Sequence, residues 1–196
     1  MNNKHNLYII SGCNGAGKTT ASYTILPELL DCREFVNADE IAKGLSPFQP
    51  EKVAIDAGRI MLARIDELLS RKEDFAFETT LATKSYVQTI KRAKEAGYQV
   101  TLVYFWLESV ELALERVQTR VKEGGHNIPE DVIRRRYVAG IRNLFQLYLD
   151  NSDMCIIINN TQNNPVLVAR KEKNILTLYK QSDWERLQQI AYANNK

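Results

Sequence analysis

Cysteine and histidine are scarce, at three and two among 196 residues. Cys13, Cys32 and Cys155 are odd in number, scattered, and form no C-x-x-C or Cys/His ligand pattern. That speaks against a disulfide framework and against a structural zinc site. His5 and His126 alone make a poor metal pair. An excess of one charge is lacking too: 26 basic and 24 acidic residues leave a formal net charge of +2, with no strong field to draw nucleic acid or membrane. No apolar run approaches the ~20 residues of a membrane-spanning helix. Residues 1–6 are polar and do not read as a secretory signal. Repeats and low-complexity tracts are absent as well. The expectation is a soluble cytoplasmic protein with reduced thiols.

What is present fits an ordinary globular domain. Hydrophobic residues make up 44% and charged residues 26% of the chain, and the length suits a single domain over residues 1–196 with a real core. Short apolar runs at residues 7–10, 35–36, 75–77, 100–107 and 154–158 read as five strands. Between them lie helical stretches at about 19–30, 51–70 and 85–96, a helix capped by Ser109 and ending at Gly124-Gly125, and a long helix opened by Pro129-Glu130-Asp131. Residues 166–168 and 175–178 suggest a terminal hairpin, followed by a helix from about residue 183. Strands alternating with helices predict an α/β fold: a mainly parallel five-stranded sheet of the P-loop kinase kind, with helices on both faces. A helical lid at about 116–137 and a C-terminal appendage of hairpin plus helix at about 163–196 complete the expectation.

Gly12-Cys13-Asn14-Gly15-Ala16-Gly17-Lys18-Thr19 fits G-x-x-x-x-G-K-[ST] at every fixed position, between a predicted strand and a predicted helix. Such a loop turns backbone N–H groups inward around phosphate oxygens. Gly12, Asn14, Gly15, Ala16, Gly17, Lys18, Thr19 and Thr20 are therefore expected to hold ATP. Lys18 would serve the β/γ-phosphates and the Thr19 hydroxyl Mg²⁺. The sequence has no N-K-x-D for guanine and no L-S-G-G-Q of transporter ATPases, so a small kinase with a lid is the favoured class.

Two carboxylates stand at predicted strand ends, where open α/β sheets bind ligands. Asp39 can accept a proton from an attacking hydroxyl, or cap a helix beginning at Glu40. Glu78 ends an apolar strand where packing gives an acid no purpose; a water-mediated hold on Mg²⁺ and a capping or surface acid beside Lys84 are both open. On the helix after Ser109, Val110, Leu114, Val117 and Val121 form the apolar stripe, and Arg116 and Arg120 share a face off it. A phosphate between them would relieve their i,i+4 repulsion. Among Arg134, Arg135 and Arg136, the γ-phosphate is assigned to Arg134 or Arg135. Gly124-Gly125 reads as a hinge for the lid. Asn159-Asn160 reads as a plain turn, with an approach to adenine as the second reading.

The cradle, Val36-Asn37-Ala38-Asp39, Phe77-Glu78-Thr79-Thr80-Leu81 and the segment 116–136, taken in order, resemble the zeta toxin family over roughly residues 7–150. The resemblance implies a kinase that phosphorylates a sugar hydroxyl of UDP-N-acetylglucosamine, and a partner antitoxin protein. It implies Asp39 as general base, Glu78 and Thr80 as substrate contacts, and His126 at the place of the family's second lid arginine. Thr79 stands where the family pattern has a small residue, and His126 departs from arginine. A different acceptor, such as another metabolite or a nucleic-acid end, and a nucleotide-dependent switch with slow hydrolysis are the alternatives.

Overall fold

Five of the apolar runs pair side by side because none can satisfy its backbone alone. The structure, a computed structural model, describes residues 5–125, 127–162 and 164–193. Strand β1 (His5–Gly12) lies at the centre, between β3 (Phe75–Thr79) and β4 (Tyr98–Trp106), with β2 (Glu34–Val36) beyond β3 and β5 (Met154–Asn159) beyond β4. All these pairings are parallel. The order reverses at β1, so the carboxyl ends of β1, β3 and β2 open onto one crevice.

The sheet has seven strands rather than the expected five. Strand β6 (Val166–Glu172) pairs antiparallel along the whole of β5, and β7 (Ile175–Leu178) pairs with β6. The hairpin thus continues the sheet instead of standing apart as an appendage. Val168 and Ala169 are buried in the core, and β6 satisfies the otherwise open edge of β5. The charged run at 170–173 masks this in the sequence.

Helices follow the predicted alternation. They are α1 (Lys18–Leu29), α2 (Ala38–Leu45), α3 (Ala54–Arg71) after a 3₁₀ turn at Pro50–Val53, α4 (Tyr86–Glu95), α5 (Val110–Lys122) and α6 (Glu130–Asn143). A π-helical stretch, Leu144–Tyr148, leads from α6 into α7 (Leu149–Asn151), and α8 (Gln181–Tyr192) closes the described chain. Ser109 caps α5 by accepting from the Leu112 N–H, as its position before an apolar-periodic run predicts. Helix α3 buries Ala57, Met61, Ile65, Leu68 and Leu69. Ile60, on the same helix, is 44% exposed. Among the described residues no helix is long and apolar enough to cross a membrane.

Candidate active site

The glycine loop leaves β1 at Gly12, paired with Phe105 of β4. A Cβ on Gly12 would sit 2.2 Å from the Phe105 carbonyl oxygen of β4, so only glycine lets the chain turn there. Lys18 is 7% exposed; its Nζ donates to the Cys13 carbonyl at 3.0 Å and lies 3.4 Å from Glu78 Oε1. Glu78 gathers the rest. Its Oε2 accepts from the Thr19 hydroxyl at 2.8 Å and from Asn37 Nδ2 at 3.0 Å. The register of β1 and β3, Ile10 against Glu78, brings this carboxylate beside the cradle. Buried charges persist when paired and hydrogen-bonded, as here.

The donor set fits Mg²⁺. A hydroxyl and a carboxylate 2.8 Å apart are hard oxygen donors, and a nucleotide-bound Mg²⁺ takes its remaining ligands from phosphate and water. It needs no protein cage of three acidic or histidine ligands, and none exists among the described residues.

Asp39 is not a helix cap. Asn37 holds that position in α2, its side chain accepting from the Asp39 N–H at 2.9 Å. Among the described residues the Asp39 carboxylate makes no hydrogen bond and no ion pair. It lines three adjoining clefts. One, of ≈ 270 Å³, lies over the cradle with Lys18, Thr19, Thr20, Arg116 and Arg120. The second, of ≈ 210 Å³, is polar and includes Asn37, Glu78, Thr79, Thr80 and Thr83. The third, of ≈ 240 Å³, is lined by Ala42, Pro50, Ala54, Ile128 and Val132 among others. Asp39 therefore stands where a nucleotide cleft meets two further ones.

The five arginines part company. Arg116 donates to the Asn160 carbonyl at 3.0 Å and to the Thr161 carbonyl at 2.9 Å. Arg120 lines the cradle cleft with Nε and Nη2 buried and without a hydrogen-bond partner, a costly state unless an anion arrives. Arg134, assigned above to the γ-phosphate, instead pairs with Glu111 at 3.0 Å, about half exposed and outside all three clefts. Burial of Ile133, Tyr137, Gly140 and Ile141 fixes the phase of α6 and turns Arg136 to the site, where it donates to Asn14 Oδ1 at 3.4 Å and lines the second and third clefts. Arg135 is exposed. His126 lies outside the described residues.

Gly124-Gly125 forms the hydrogen-bonded ending of α5. Gly124 is left-handed at φ 93°, its N–H donates to the Val121 carbonyl, and the Gly125 N–H donates to the Arg120 carbonyl at 2.8 Å, the two bonds of a Schellman ending. It fixes the backbone of the turn that carries Arg120.

Other contributors gave no signal in the sequence. Gly140 lets α6 approach the Thr80 carbonyl, which a Cβ would meet at 2.5 Å. Asn143 Nδ2 donates to the Leu81 carbonyl at 2.7 Å, and the Tyr148 hydroxyl to the Thr83 carbonyl. Together they hold the turn after β3, where Leu81 adopts φ 56°. Burial pushes the Cys13 thiol up to about 11, with Lys18 and Arg116 pulling the other way. The thiol in the cradle is thus neutral at physiological pH.

Comparison with known proteins agrees with this geometry. The zeta toxin family model matches residues 2–181. An uncharacterized protein of Haemophilus influenzae is 36% identical over 137 residues, covering 70% of this chain and 94% of its own length. Among solved structures, a chain of the AvrRxo1-ORF1:AvrRxo1-ORF2 complex with sulphate ions superposes with a TM-score of 0.79 at 19% identity; the match covers 94% of this chain but only 63% of that one. A chain of the PezAT chromosomal toxin–antitoxin system of Streptococcus pneumoniae gives a TM-score of 0.70 at 19% identity, over 99% of this chain and 81% of that one. At such identities the two structures speak for a shared fold.

Proposed function

The chain belongs to the zeta toxin family, and from that premise we propose that it is an ATP-dependent kinase transferring the γ-phosphate to a hydroxyl of a sugar nucleotide such as UDP-N-acetylglucosamine. The observation that carries the reading is Asp39: a carboxylate without a partner, shared by the cleft over the cradle and the two clefts beside it. A general base needs that freedom and that location. AvrRxo1-ORF1:-ORF2 has also been solved with ATP, which supports nucleotide in the corresponding cradle here.

In the proposed reaction the acceptor hydroxyl lies against Asp39, which takes its proton as the oxygen bonds to the γ-phosphorus. The bond from that phosphorus to the β-phosphate bridging oxygen breaks, and ADP leaves. Lys18 neutralises charge between the β- and γ-phosphates, and Arg120 gains in the transferring group the partner it lacks. Thr19 and Glu78 would hold Mg²⁺, whose charge draws the phosphate oxygens into line. Thr80 and Arg136 face the acceptor side.

Thr79 favours a second reading of the acceptor. Its side chain lines the polar cleft where the family pattern has a smaller residue, which suits a hydroxyl compound of different shape. Complexes in the names of AvrRxo1-ORF1:AvrRxo1-ORF2 and PezAT support an antitoxin-like protein partner, and three buried free thiols suit the reducing cytoplasm.

Mass spectrometry of products after incubation with Mg-ATP, first with UDP-N-acetylglucosamine and then with a metabolite extract, tests the proposal. A phosphorylated sugar nucleotide supports the first reading; another phosphorylated metabolite supports the second. No transferred phosphate, with basal ATP hydrolysis unchanged by Asp39→Asn, overturns the kinase and leaves a nucleotide-dependent switch.

A further inference from the structure

We infer that Asn160, the first residue of the strap Asn160-Thr161 that follows β5, is a positioning residue of the phosphate cradle. The inference rests on the kinase reading and reaches a residue outside the glycine loop altogether. Asn160 Nδ2 donates to the Ala16 carbonyl at 2.8 Å, across 144 residues of sequence. The same amide occupies the space that a Cβ on Gly17 would need, 2.6 Å away.

The physical consequence lies in one peptide unit. In a planar trans peptide the C=O and the N–H point in opposite directions. Holding the Ala16 oxygen toward Asn160 therefore aims the Gly17 N–H the other way. Gly17 lines the cleft over the cradle and Asn160 does not, so the other way is toward the phosphates. Gly17 sits at φ 82°, ψ 14°, and glycine has little intrinsic preference that would stop this peptide from flipping. A flip would present a carbonyl oxygen to a polyphosphate. An external donor locks the unit in its binding orientation.

The lock is itself anchored. The Asn160 N–H donates to the Trp106 carbonyl at 2.8 Å at the end of β4, and the carbonyls of Asn160 and Thr161 receive both terminal nitrogens of Arg116. The Glu108 N–H donates to the Thr161 hydroxyl at 3.0 Å. Arg116 on α5 thus holds the strap while the strap holds the cradle, and it acts here as a positioning residue beside Asn160. Because Arg116 is anchored on main-chain oxygens, Arg120 is left as the arginine free for phosphate.

Calorimetric titration of Mg-ADP and of Mg-pyrophosphate into the parent, Asn160→Ala and Asn160→Asp tests this, with melting temperature measured alongside. Pyrophosphate reports the cradle without the base. The expected result is a fall in both affinities by the same factor, about tenfold for Ala and more for Asp, whose carboxylate repels the Ala16 oxygen, with little change in melting temperature. Unchanged affinities overturn the inference. So does a loss confined to Mg-ADP, which would assign Asn160 to the base, or a loss that only tracks a falling melting temperature. If the parent binds neither ligand, the kinase reading falls and takes this inference with it. If the parent binds both and the variants match it, the inference falls alone.

Discussion

The cradle and the helix pair α5–α6 meet across one cleft, yet they are built on opposite plans. In the cradle the groups around Lys18 have partners within the protein: Lys18 and Thr19 on Glu78, Asn37 on Glu78, Asn160 on the Ala16 carbonyl. On the helix pair Arg116 is held by two main-chain oxygens, but the other two arginines facing the clefts are under-satisfied. Arg120 has two buried nitrogens without partners, and Arg136 has one long contact. A set of paired groups keeps its geometry without ligand, whereas unpaired buried donors gain most when an anion enters. The first half reads as a preformed nucleotide seat, the second as the part whose interactions are completed by the transferring phosphate.

Breaking the cradle should have the largest effect. Lys18→Ala is expected to lower transfer by at least ~10³-fold and to weaken Mg-ATP binding clearly, as measured by steady-state kinetics and calorimetry. Asp39→Asn should lower transfer by ~10²–10⁴-fold while Mg-ATP affinity stays within about twofold, since its carboxylate has no part in the cradle's bonding. Equal loss of nucleotide affinity in the two variants would contradict the role given to Asp39.

Arg120→Ala should cost ~10²–10³-fold in kcat with little change in ground-state ATP affinity, because its contribution arises as charge develops on the transferring group. A variant that binds ATP poorly but turns over normally would move Arg120 to the preformed half. Next in size is a contrast between neighbours on α6. Arg136→Ala is expected to reduce kcat/KM for the acceptor by about tenfold, and Arg134→Ala by less than about twofold, since an exposed pair with Glu111 contributes little. The reverse ranking would restore Arg134 to the site.

The smallest effect concerns the three buried thiols. Burial raises the thiols of Cys13 and Cys32 to about 11 and of Cys155 to about 12, from an ordinary 9.0. For a group whose folded value lies above its unfolded value, the stabilisation is complete below pH 9 and is lost as pH climbs toward the folded value. The melting temperature should therefore fall between pH 8 and pH 10.5, and Cys155→Ala should reduce that fall even though its cavity lowers stability at every pH. Iodoacetamide at pH 7.5 should leave Cys13 unmodified until the protein unfolds.

Some of this was legible without coordinates. Gly12 to Thr19 is one contiguous motif, and its chemistry depends on local backbone conformation, which the glycines and their spacing encode. Asp39 and Glu78 were visible because an acid at the end of an apolar strand has no packing purpose. The i,i+4 pair Arg116 and Arg120 was visible from helical phase, but their different fates were not. Phase says which face a side chain shares, not which main-chain oxygens lie opposite it. Arg134 and Arg136 flank opposite sides of the apolar stripe of α6, so helical phase alone does not separate them. Only the packing of Tyr137 and Gly140 decides which border turns inward. The hairpin reads as detached because the charges at 170–173 hide the burial of Val168 and Ala169 in the same strand.

The sequence by itself determined a phosphate-binding loop on a parallel sheet, the carboxylates at its strand ends, and the family to which they belong, because those features reside in contiguous residues or in strand and helix periodicity. The tertiary structure decided how the loop is held and by whom. Glu78 reaches Thr19 through strand register, Asn160 reaches Ala16 across 144 residues, and Arg120 keeps two buried nitrogens unpaired while Arg116 bonds the Asn160 and Thr161 carbonyls. Such contacts depend on distances between segments that no local pattern encodes.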